Sequence, residues 1–557
     1  MTSSQDELVF VPLGGLGEIG MNAALYGFGP ERDRKWILVD CGMGFGGEDH
    51  LPGIDVVYPD LTFIEKQRKN LLGIFITHAH EDHIGALVEM WPRLRVPVYA
   101  TRFAMGLLET RKLREPNAPK IDLREIKTHE RLVLGPFDVE YVPVAHSIPE
   151  SNAMAIRTPH GLVVHTGDWK IDATPYLGSL TSEETFRALG DEGVLALVCD
   201  STNVVRDGVS PSEADVAKHL AELIRDAPHR VAITTFASNV ARIRSIAEAA
   251  KECDREVVVV GRAMDRVVDV AGECGFLEGL AEFRSLDTFG YLPRNKVVAV
   301  LTGSQGEPRA ALARISMNEH PTVTLSAGDR VIFSSRAIPG NEKGVGAIIN
   351  RLIEQGVEVI TDRTDLVHVS GHPRRGELAR MYEWTRPQIA IPAHGEALHL
   401  AEHEKFARSQ GVGNVVRGKN GTVIRLSPGE AEITGTVQAG RLYRDGEIIT
   451  GPGDRALPER RKLALAGIVT AAIAIDERGD LAGDAVIDAM GLPEKTREGA
   501  VLIDIIAGVV ETTLNGLSPV KRRDTDAVEQ AVQRAIRAQV NQLWGKKPAC
   551  HVMVVEV

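Results

Sequence analysis

Short apolar runs broken by glycine and proline dominate the N-terminal part of the chain. Residues 8–13, 22–28, 36–40 and 73–77 have strand length and apolar character, and the tight-turn punctuation between them predicts hairpins. Residues 84–91 read as a helix and 96–100 as a strand, and strand signals recur at 137–144, 161–166 and 194–199. Strands with only occasional helices predict a sandwich carrying helices on its outer faces. The period changes near residue 209. Ser210-Pro211-Ser212-Glu213 places a serine at an N-cap, proline at the first helical position and glutamate at the third, so a helix is predicted to begin there. Strands at 230–236, 256–261, 296–303, 330–335 and 357–362 then alternate with helices such as 239–253 and 344–355. That alternation predicts a parallel, doubly wound sheet over 209–362.

Strands that end in histidine return at 367–372 and 389–394, followed by short strands to about residue 450. The simplest organisation is a first domain made of 1–208 and 363–450, with 209–362 inserted into it. Gly451-Pro452-Gly453 opens a linker over 451–460. The final segment, 461–557, shows strands near 464–475, a helix over 526–544 and a last strand at 550–557. Val528, Val532, Ile536 and Val540 form one stripe of that helix, as in a small α/β interaction or dimerisation module.

Composition narrows the class only modestly. A 43% hydrophobic and 25% charged chain is an ordinary globular one, and 557 residues leave room for several cores. The start, MTSSQDELVF, shows no signal peptide, and no apolar run reaches membrane-spanning length. Five scattered cysteines without a CxxC pair fit a reducing cytoplasm. The net charge of −12 points mildly away from nucleic acid, although a phosphate backbone responds to a local groove and to bound cations instead. A basic-leaning stretch runs from Arg93 through Arg95, Arg102, Arg111, Lys112, Arg114, Lys120, Arg124 and Lys127 to Arg131. Acidic residues interrupt it, so it reads as a solvated face. With aromatics at 5%, stacking of many successive bases is not expected.

The chemistry lies in His78-Ala79-His80-Glu81-Asp82-His83, directly after the apolar run Leu71-Leu72-Gly73-Ile74-Phe75-Ile76. Imidazole and carboxylate both suit Zn²⁺, and a strand exit can turn several of them inward, which packing alone does not explain. A dinuclear centre needs more ligands, to come from other strand ends. His146 and Asp168 each follow an apolar run. A competing motif, Gly15-Leu16-Gly17-Glu18-Ile19-Gly20 with Asp40 about twenty residues on, matches a dinucleotide fingerprint. The short, glycine-broken run after it fits a hairpin rather than the helix that fingerprint requires.

The cluster, His146 and Asp168, in this order, resemble the metallo-β-lactamase fold. That resemblance implies that His78, His80 and His146 hold one zinc and that Asp82 and His83 hold another, with Asp168 bridging. Asp40 would orient the ligating histidines from behind rather than bind metal. Three further motifs, Asp200 in Cys199-Asp200-Ser201-Thr202-Asn203, His368 in Val367-His368-Val369-Ser370-Gly371-His372 and His394 in Pro392-Ala393-His394-Gly395-Glu396, flank the inserted segment. They resemble those of β-CASP nucleases. Gly14–Gly20, Thr302-Gly303-Ser304-Gln305-Gly306-Glu307-Pro308 and the closing Lys546-Lys547-Pro548 to Val557 narrow the resemblance to the bacterial ribonuclease J family, over essentially the whole chain. Departures at Tyr58 and in the loop 42–47 read as peripheral to the chemistry.

The family likeness implies an α/β chain: a metallo-β-lactamase αββα sandwich, an inserted doubly wound β-CASP domain and a small C-terminal α/β domain. It implies His394 in the second zinc's shell, Asp200 supporting the metal-side histidines, and His368 beside the scissile phosphate. Asp82, Asp200 and His368 thus carry the chemistry. Ser370 and His372, with the amides of Val369 and Gly371, would hold a terminal 5′-phosphate. Phe236, Ser238 and Asn239, and Ser304, Gln305 and Glu307, would contact the terminal nucleotide, although the second group also reads as a purely structural turn. The implied activity is 5′→3′ exonuclease action on 5′-monophosphate RNA plus endonuclease cleavage, by hydroxide attack assisted by two Zn²⁺ per subunit, with Mn²⁺ or Mg²⁺ able to support it. Implied partners are single-stranded RNA, further copies of the chain in a homodimer or homotetramer through the last domain, and RNA-degradation proteins, in the cytoplasm and without a membrane. A DNA-directed β-CASP nuclease, a small-molecule metallo-hydrolase and a non-catalytic RNA-binding scaffold are the rival readings. Only the first shares every visible core motif.

Overall fold

Strand Leu71–Phe75 is buried at every position but Leu72, as a continuous apolar run covered on both faces should be. In the computed structural model, which describes residues 5–46, 52–112, 118–338 and 340–557, it lies inside an eight-stranded sheet. The spatial order is Glu432–Thr436, Thr422–Ser427, Glu7–Gly14, Ala23–Gly29, Lys35–Val39, Leu71–Phe75, Val98–Ala100, Leu123–Glu125. A seven-stranded sheet faces it: Arg131–Leu134, Phe137–Pro143, Asn152–Thr158, Gly161–His165, Val194–Asp200, Ile389–Ala393, Asn414–Val415. Phe10, Tyr26, Ile37 and Phe75 from the first sheet share a core with Tyr141, Met154, Val163, Val198 and Ile391 from the second. Behind the second sheet, Phe186 and Leu189 of helix Glu183–Glu192 and Leu378, Met381 and Trp384 of helix Arg375–Thr385 pack against Val164, Leu197 and Ala390. Helices covering paired sheets make the αββα sandwich.

Strands Val194–Asp200 and Ile389–Ala393 pair in parallel, Asp200 opposite Ala393, so the chain leaves the sandwich after Asp200 and returns at its neighbour. Between them lies a five-stranded parallel sheet. It starts at its central strand Val231–Thr234, proceeds to Glu256–Val260 and Val297–Leu301 on one side, then to Arg330–Phe333 and Glu358–Ile360 on the other. That reversal is the doubly wound arrangement.

A second compact unit takes Phe45–Val56 and Tyr443–Val557. Its strand Ile468–Ile475 pairs with Val486–Met490 and Ala549–Glu556. Val528, Val532, Ile536 and Val540, all fully buried on helix Thr525–Trp544, pack with helix Leu502–Gly516 over one face of that sheet. Each such side chain stabilises by roughly 1.5–3 kcal/mol.

Several expectations need correction. The helix after residue 209 is Glu213–Asp226, capped by Ser212, with Asp215 closing the capping box. Ser210 is taken instead by Glu377, whose Oε2 accepts from its N and Oγ at 3.1 and 3.0 Å. The expected helix 84–91 is two pieces, Glu81–Ile84 and Leu87–Leu94. The segment 367–372 is no strand, because side chains rather than a sheet partner take its carbonyl at Val367. Residues 464–466 end helix Ala456–Ala466, and the strand starts only after Gly467 at φ +65°. Strand Asn152–Thr158 and helices Arg262–Glu273 and Leu502–Gly516 lay outside the expectations. In the basic stretch Arg111 pairs with Glu89 at 2.8 Å and Arg124 with Asp122 at 2.9 Å, while Arg114 lies outside the described residues.

Candidate metal centre

Each candidate ligand follows a strand of one of the two facing sheets, so the sandwich aims them at one point. The histidine cluster follows Leu71–Phe75, His146 follows Phe137–Pro143, Asp168 follows Gly161–His165, Asp200 ends Val194–Asp200 and His394 follows Ile389–Ala393. Three four-residue groups result, each with its ligand atoms within 4.8 Å of one another: His78, His80, His146, Asp168; Asp82, His83, Asp168, His394; and Asp168, Asp200, His372, His394. Asp168 belongs to all three.

The first group has the geometry of a cation site. His78 Nε2 and His146 Nε2 lie 3.0 and 3.1 Å from His80 Nδ1. Tetrahedral zinc with bonds of about 2.0–2.1 Å needs nitrogen separations of about 3.3 Å, so a small ion fits with slight relaxation. Their other nitrogens are committed. His146 Nδ1–H donates to the Gly371 carbonyl at 2.7 Å, and His78 Nδ1–H donates to Thr77 Oγ1 at 3.0 Å. Such outer bonds fix tautomer and ring direction. Burial, then neighbouring imidazoles, hold His78 and His146 well below the usual histidine range, and burial pulls His80 down to about 4, so all three are neutral donors.

Asp40 stands behind the second group. Its φ of +62° turns the carboxylate onto Thr77, whose N and Oγ1 donate to it at 2.8 Å each. His83 Nδ1–H donates to Asp40 Oδ2 at 2.7 Å, leaving Nε2 3.3 Å from Asp168 Oδ2. His394 Nε2 lies 3.3 Å from Asp82 Oδ2 and its Nδ1 3.0 Å from Asp168 Oδ1. Asp168 Oδ1 and His394 Nε2 are nevertheless buried without an aligned hydrogen bond, as atoms directed at an ion would be. Burial pushes the Asp168 carboxyl up, but His394, His83 and His372 outweigh it and hold the group well below the carboxylate range. The residues present therefore fit divalent cations.

The remaining candidates are placed as follows. His372 Nδ1 is 2.7 Å from Asp200 Oδ2, which puts it on the wall of the cage as well as on the Ser370 turn. Gly371 packs so closely on His146 that a Cβ there would meet its Nδ1 at 2.6 Å. Asn239 Oδ1 caps helix Val240–Glu252 through Arg242 N at 3.0 Å, so that side chain serves the helix. Phe236 and Ser238 remain half-buried beside it. Gln305 bonds Arg336 O at 2.9 Å and Ile338 N at 2.7 Å, and Glu307 accepts from Gln305 N at 3.0 Å, which organises the loop that also holds buried Ser304. His368 is half-buried, with Nδ1 enclosed and the ring drawn to the Ser334 backbone, and Val369 is buried.

Sequence reading missed four residues that hold the site: Thr77, Asn22, Thr202 and Asn203. Asn22 donates to the Asp82 carbonyl at 3.1 Å, and Thr202 Oγ1 donates to Asp200 Oδ1 at 2.7 Å. Asn203 Nδ2 donates to Ser370 Oγ at 2.9 Å and to the His372 carbonyl at 3.1 Å. For Thr77, Thr202 and Asn203 the available signal was a small polar residue next to a metal motif, whereas Asn22 stands far from any along the chain. The loop 42–47 is not peripheral: Cys41 N donates to His83 O at 2.8 Å, Met43 N to Glu81 O at 3.0 Å, and a Cβ on Gly42 would overlap the Asp82 carbonyl. Its last residue, Gly47, lies outside the described residues, and Tyr58 is simply buried. The glycine-rich Gly15–Gly20 segment joins the antiparallel strands Glu7–Gly14 and Ala23–Gly29, as a hairpin should, and Leu16 pairs with Gly395 beside His394.

A sandwich with this inserted sheet and this His/Asp cage defines a metal-dependent hydrolase of the metallo-β-lactamase class carrying a β-CASP insertion. Family models match accordingly: the metallo-beta-lactamase superfamily over 22–262, the ribonuclease J beta-CASP domain over 228–352, the Zn-dependent metallo-hydrolase RNA specificity domain over 356–416 and the ribonuclease J C-terminal domain over 455–557. Ribonuclease J of Sinorhizobium meliloti is 52% identical over 100% of this chain and 98% of its own length. That of Thermus thermophilus is 34% identical over 99% and 96%. The chain belongs to the ribonuclease J family of metal-dependent ribonucleases. A solved protein of unknown function from Enterococcus faecalis V583 shares the fold at a TM-score of 0.52 and 16% identity, covering 75% of this chain and 100% of its own.

Proposed function

We propose that this chain is a cytoplasmic, two-zinc ribonuclease that degrades RNA 5′→3′ from a 5′-monophosphate and also cleaves internally. One observation carries the reading: two metal-fitting groups share Asp168, and the Ser370–His372 turn abuts both, through Gly371 on His146 and the His372 ring beside that of His394. His78, His80 and His146 would hold one ion, Asp82, His83 and His394 the other, and Asp168 both. When bound, the pair of ions lowers the pKa of water and neutralises charge on the phosphate under attack.

The chain's own groups supply the rest. Ser370 Oγ, pinned by Asn203, would hold the terminal phosphate with the amides of its turn. Attack of a water oxygen on phosphorus breaks the bond to the 3′-oxygen; one proton of that water is released to solvent, which returns one to the departing oxygen, leaving a 5′-phosphate downstream and a 3′-hydroxyl on the released piece. Burial, then the charges of Arg242, Arg336 and Lys170, hold the His368 imidazole well below its ordinary range. A neutral ring serves as an N–H donor to developing negative charge rather than as a proton source.

Product mapping on end-labelled RNA bearing mono- or triphosphate termini, with matched DNA and a chelator arm, tests the reading. Ser370→Ala is expected to slow exonuclease steps on monophosphate RNA by about tenfold or more, the scale of one lost charge-assisted hydrogen bond, with internal cleavage changed less than about twofold. Equal loss of both modes would refute that division.

Self-association is proposed through the last domain. Opposite its helix-covered face, that sheet exposes Val486 (72%), Met490 (67%), Met553 (45%) and Val555 (58%), with Val486 and Met553 both paired to Ala472. Met553→Asp with Val555→Asp is expected to reduce the mass seen by light scattering to that of one chain. An unchanged mass would place the interface elsewhere. Among the described residues no helix is long and apolar enough to cross a membrane.

A further inference from the structure

Behind His368 runs a string of buried charges that the chemistry above does not use. Lys170 is fully buried, with Nζ 2.7 Å from Asp172 Oδ2. Burial raises the Asp172 carboxyl, but the Lys170 charge and contact, with the bonds from Glu213 and Ser212, outweigh it and hold the group below the usual carboxylate range. Asp172 accepts from Ser212 Oγ at 2.7 Å and from Glu213 N at 3.0 Å. Glu213 Oε2 then lies 2.6 Å from Arg242 Nη2, and Arg242 is also fully buried. Lys170 and Asp172 follow Asp168 in the sandwich, whereas Glu213 and Arg242 sit on helices Glu213–Asp226 and Val240–Glu252 of the insertion.

A buried ion pair adds little net stability, since desolvation offsets the attraction. What distinguishes this one is where Arg242 directs Nη1. Arg242 Nη1 donates to the Val367 carbonyl at 2.8 Å and also contacts Ser334 Oγ, which itself donates to that carbonyl at 2.7 Å. The peptide leading into His368 is thus gripped by two buried donors, in a segment without helix or strand from 361 to 374. The imidazole, with Nδ1 buried, is drawn to the backbone of Ser334, the same residue whose hydroxyl grips the Val367 carbonyl. Its direction therefore comes from its own backbone, held at Val367, and from Ser334.

We propose that Arg242, balanced by Glu213 and assisted by Ser334, is a positioning residue that sets the His368 ring against the scissile phosphate. Lys170 and Asp172 extend the brace to the sandwich, so that the histidine carried after the inserted sheet keeps register with ligands carried by the two large sheets. The charge of Arg242 also acts on the imidazole directly, as the first of the like charges that add to burial in lowering its proton affinity. The proposal rests on the part given to His368 above.

The test is a pair of double-mutant cycles in the full-length, metal-loaded protein, using single-turnover and steady-state cleavage of a 5′-monophosphate oligoribonucleotide. Arg242→Gln is expected to lower kcat about tenfold to a hundredfold, the effect of misplacing a group by around 1 Å, with KM changed less than about twofold. In a His368→Ala background the same substitution should cost less than about threefold, because coupled residues are non-additive. Ser334→Ala, which leaves no charge unpaired, should show the same coupling with a loss of several-fold. Equal fractional losses in both backgrounds, or a loss carried by KM, overturn the proposal. Should Arg242→Gln fail to fold, the Ser334 cycle decides alone, and either additivity or no effect on kcat counts against it. Full activity of His368→Ala would instead remove the role of His368 itself, a separate failure.

Discussion

Replacing Asp168 by asparagine is expected to reduce RNA hydrolysis by about a thousandfold or more, in the proposed exonuclease and endonuclease modes alike. The substitution keeps size and shape but removes the one carboxylate common to all three ligand groups. Asp168 is 3% exposed, and His394, His83 and His372 hold it ionised against the cost of burial. Loss of that charge removes ion binding and, with it, several kcal/mol of transition-state stabilisation; about 4 kcal/mol corresponds to a thousandfold. Single-turnover cleavage of end-labelled RNA, with bound metal measured by mass spectrometry on the same sample, checks it. A variant that keeps two ions per chain and activity within tenfold of the parent would show that the cage is not the centre of the chemistry.

Gly42→Ala is expected to cost about a hundredfold in rate, although position 42 touches neither substrate nor ligand side chains in the proposed site. A methyl group there would overlap the Asp82 carbonyl and approach His83 N to 2.7 Å. Both obstacles are backbone and cannot swing aside. Gly42 is also held by its own N–H, which donates to the Asn22 carbonyl at 2.8 Å, while Asn22 N donates to Asp82 O at 2.9 Å. Relief must move the turn carrying Asp82 and His83 by something near 1 Å, a displacement that costs about a hundredfold when it misplaces reacting groups. Overpacking adds about 1–3 kcal/mol of destabilisation. The expected signature is loss of the ion proposed at Asp82, His83 and His394 before the one proposed at His78, His80 and His146. Titrating metal into apoprotein by calorimetry would reveal it, and two unchanged binding steps would contradict it.

Much of this molecule is local and therefore readable along the chain. The apolar run before His78 reads as a buried strand because it is too short for a typical helix and has no polar face, and Leu71–Phe75 is that strand. The stripe Val528, Val532, Ile536, Val540 had to be one helix face, and all four are fully buried. The order of histidines and aspartates after strand ends announced a cation cage, because those groups have no other reason to follow one another at sheet edges. The places where the reading slipped are those where a distant side chain overrides a local rule. Ser210 has the look of a helix cap until Glu377, far along the chain, claims it. Residues 367–372 have strand composition until Arg242 and Ser334 take the Val367 carbonyl.

The loop at Gly42 is the plainest case. Nothing in its composition marks it as part of the chemistry, and only the approach of the Asp82 turn gives it that importance. Local pattern establishes which elements form and which groups can bind a cation, because propensity, capping and ligand chemistry act over a few residues. Which nitrogen of His83 and of His146 faces the cage, which glycine leaves room for the Asp82 turn and which buried arginine grips the peptide before His368 depend on contacts spanning tens to hundreds of residues. Those contacts exist only once the two sheets and the inserted one have packed together.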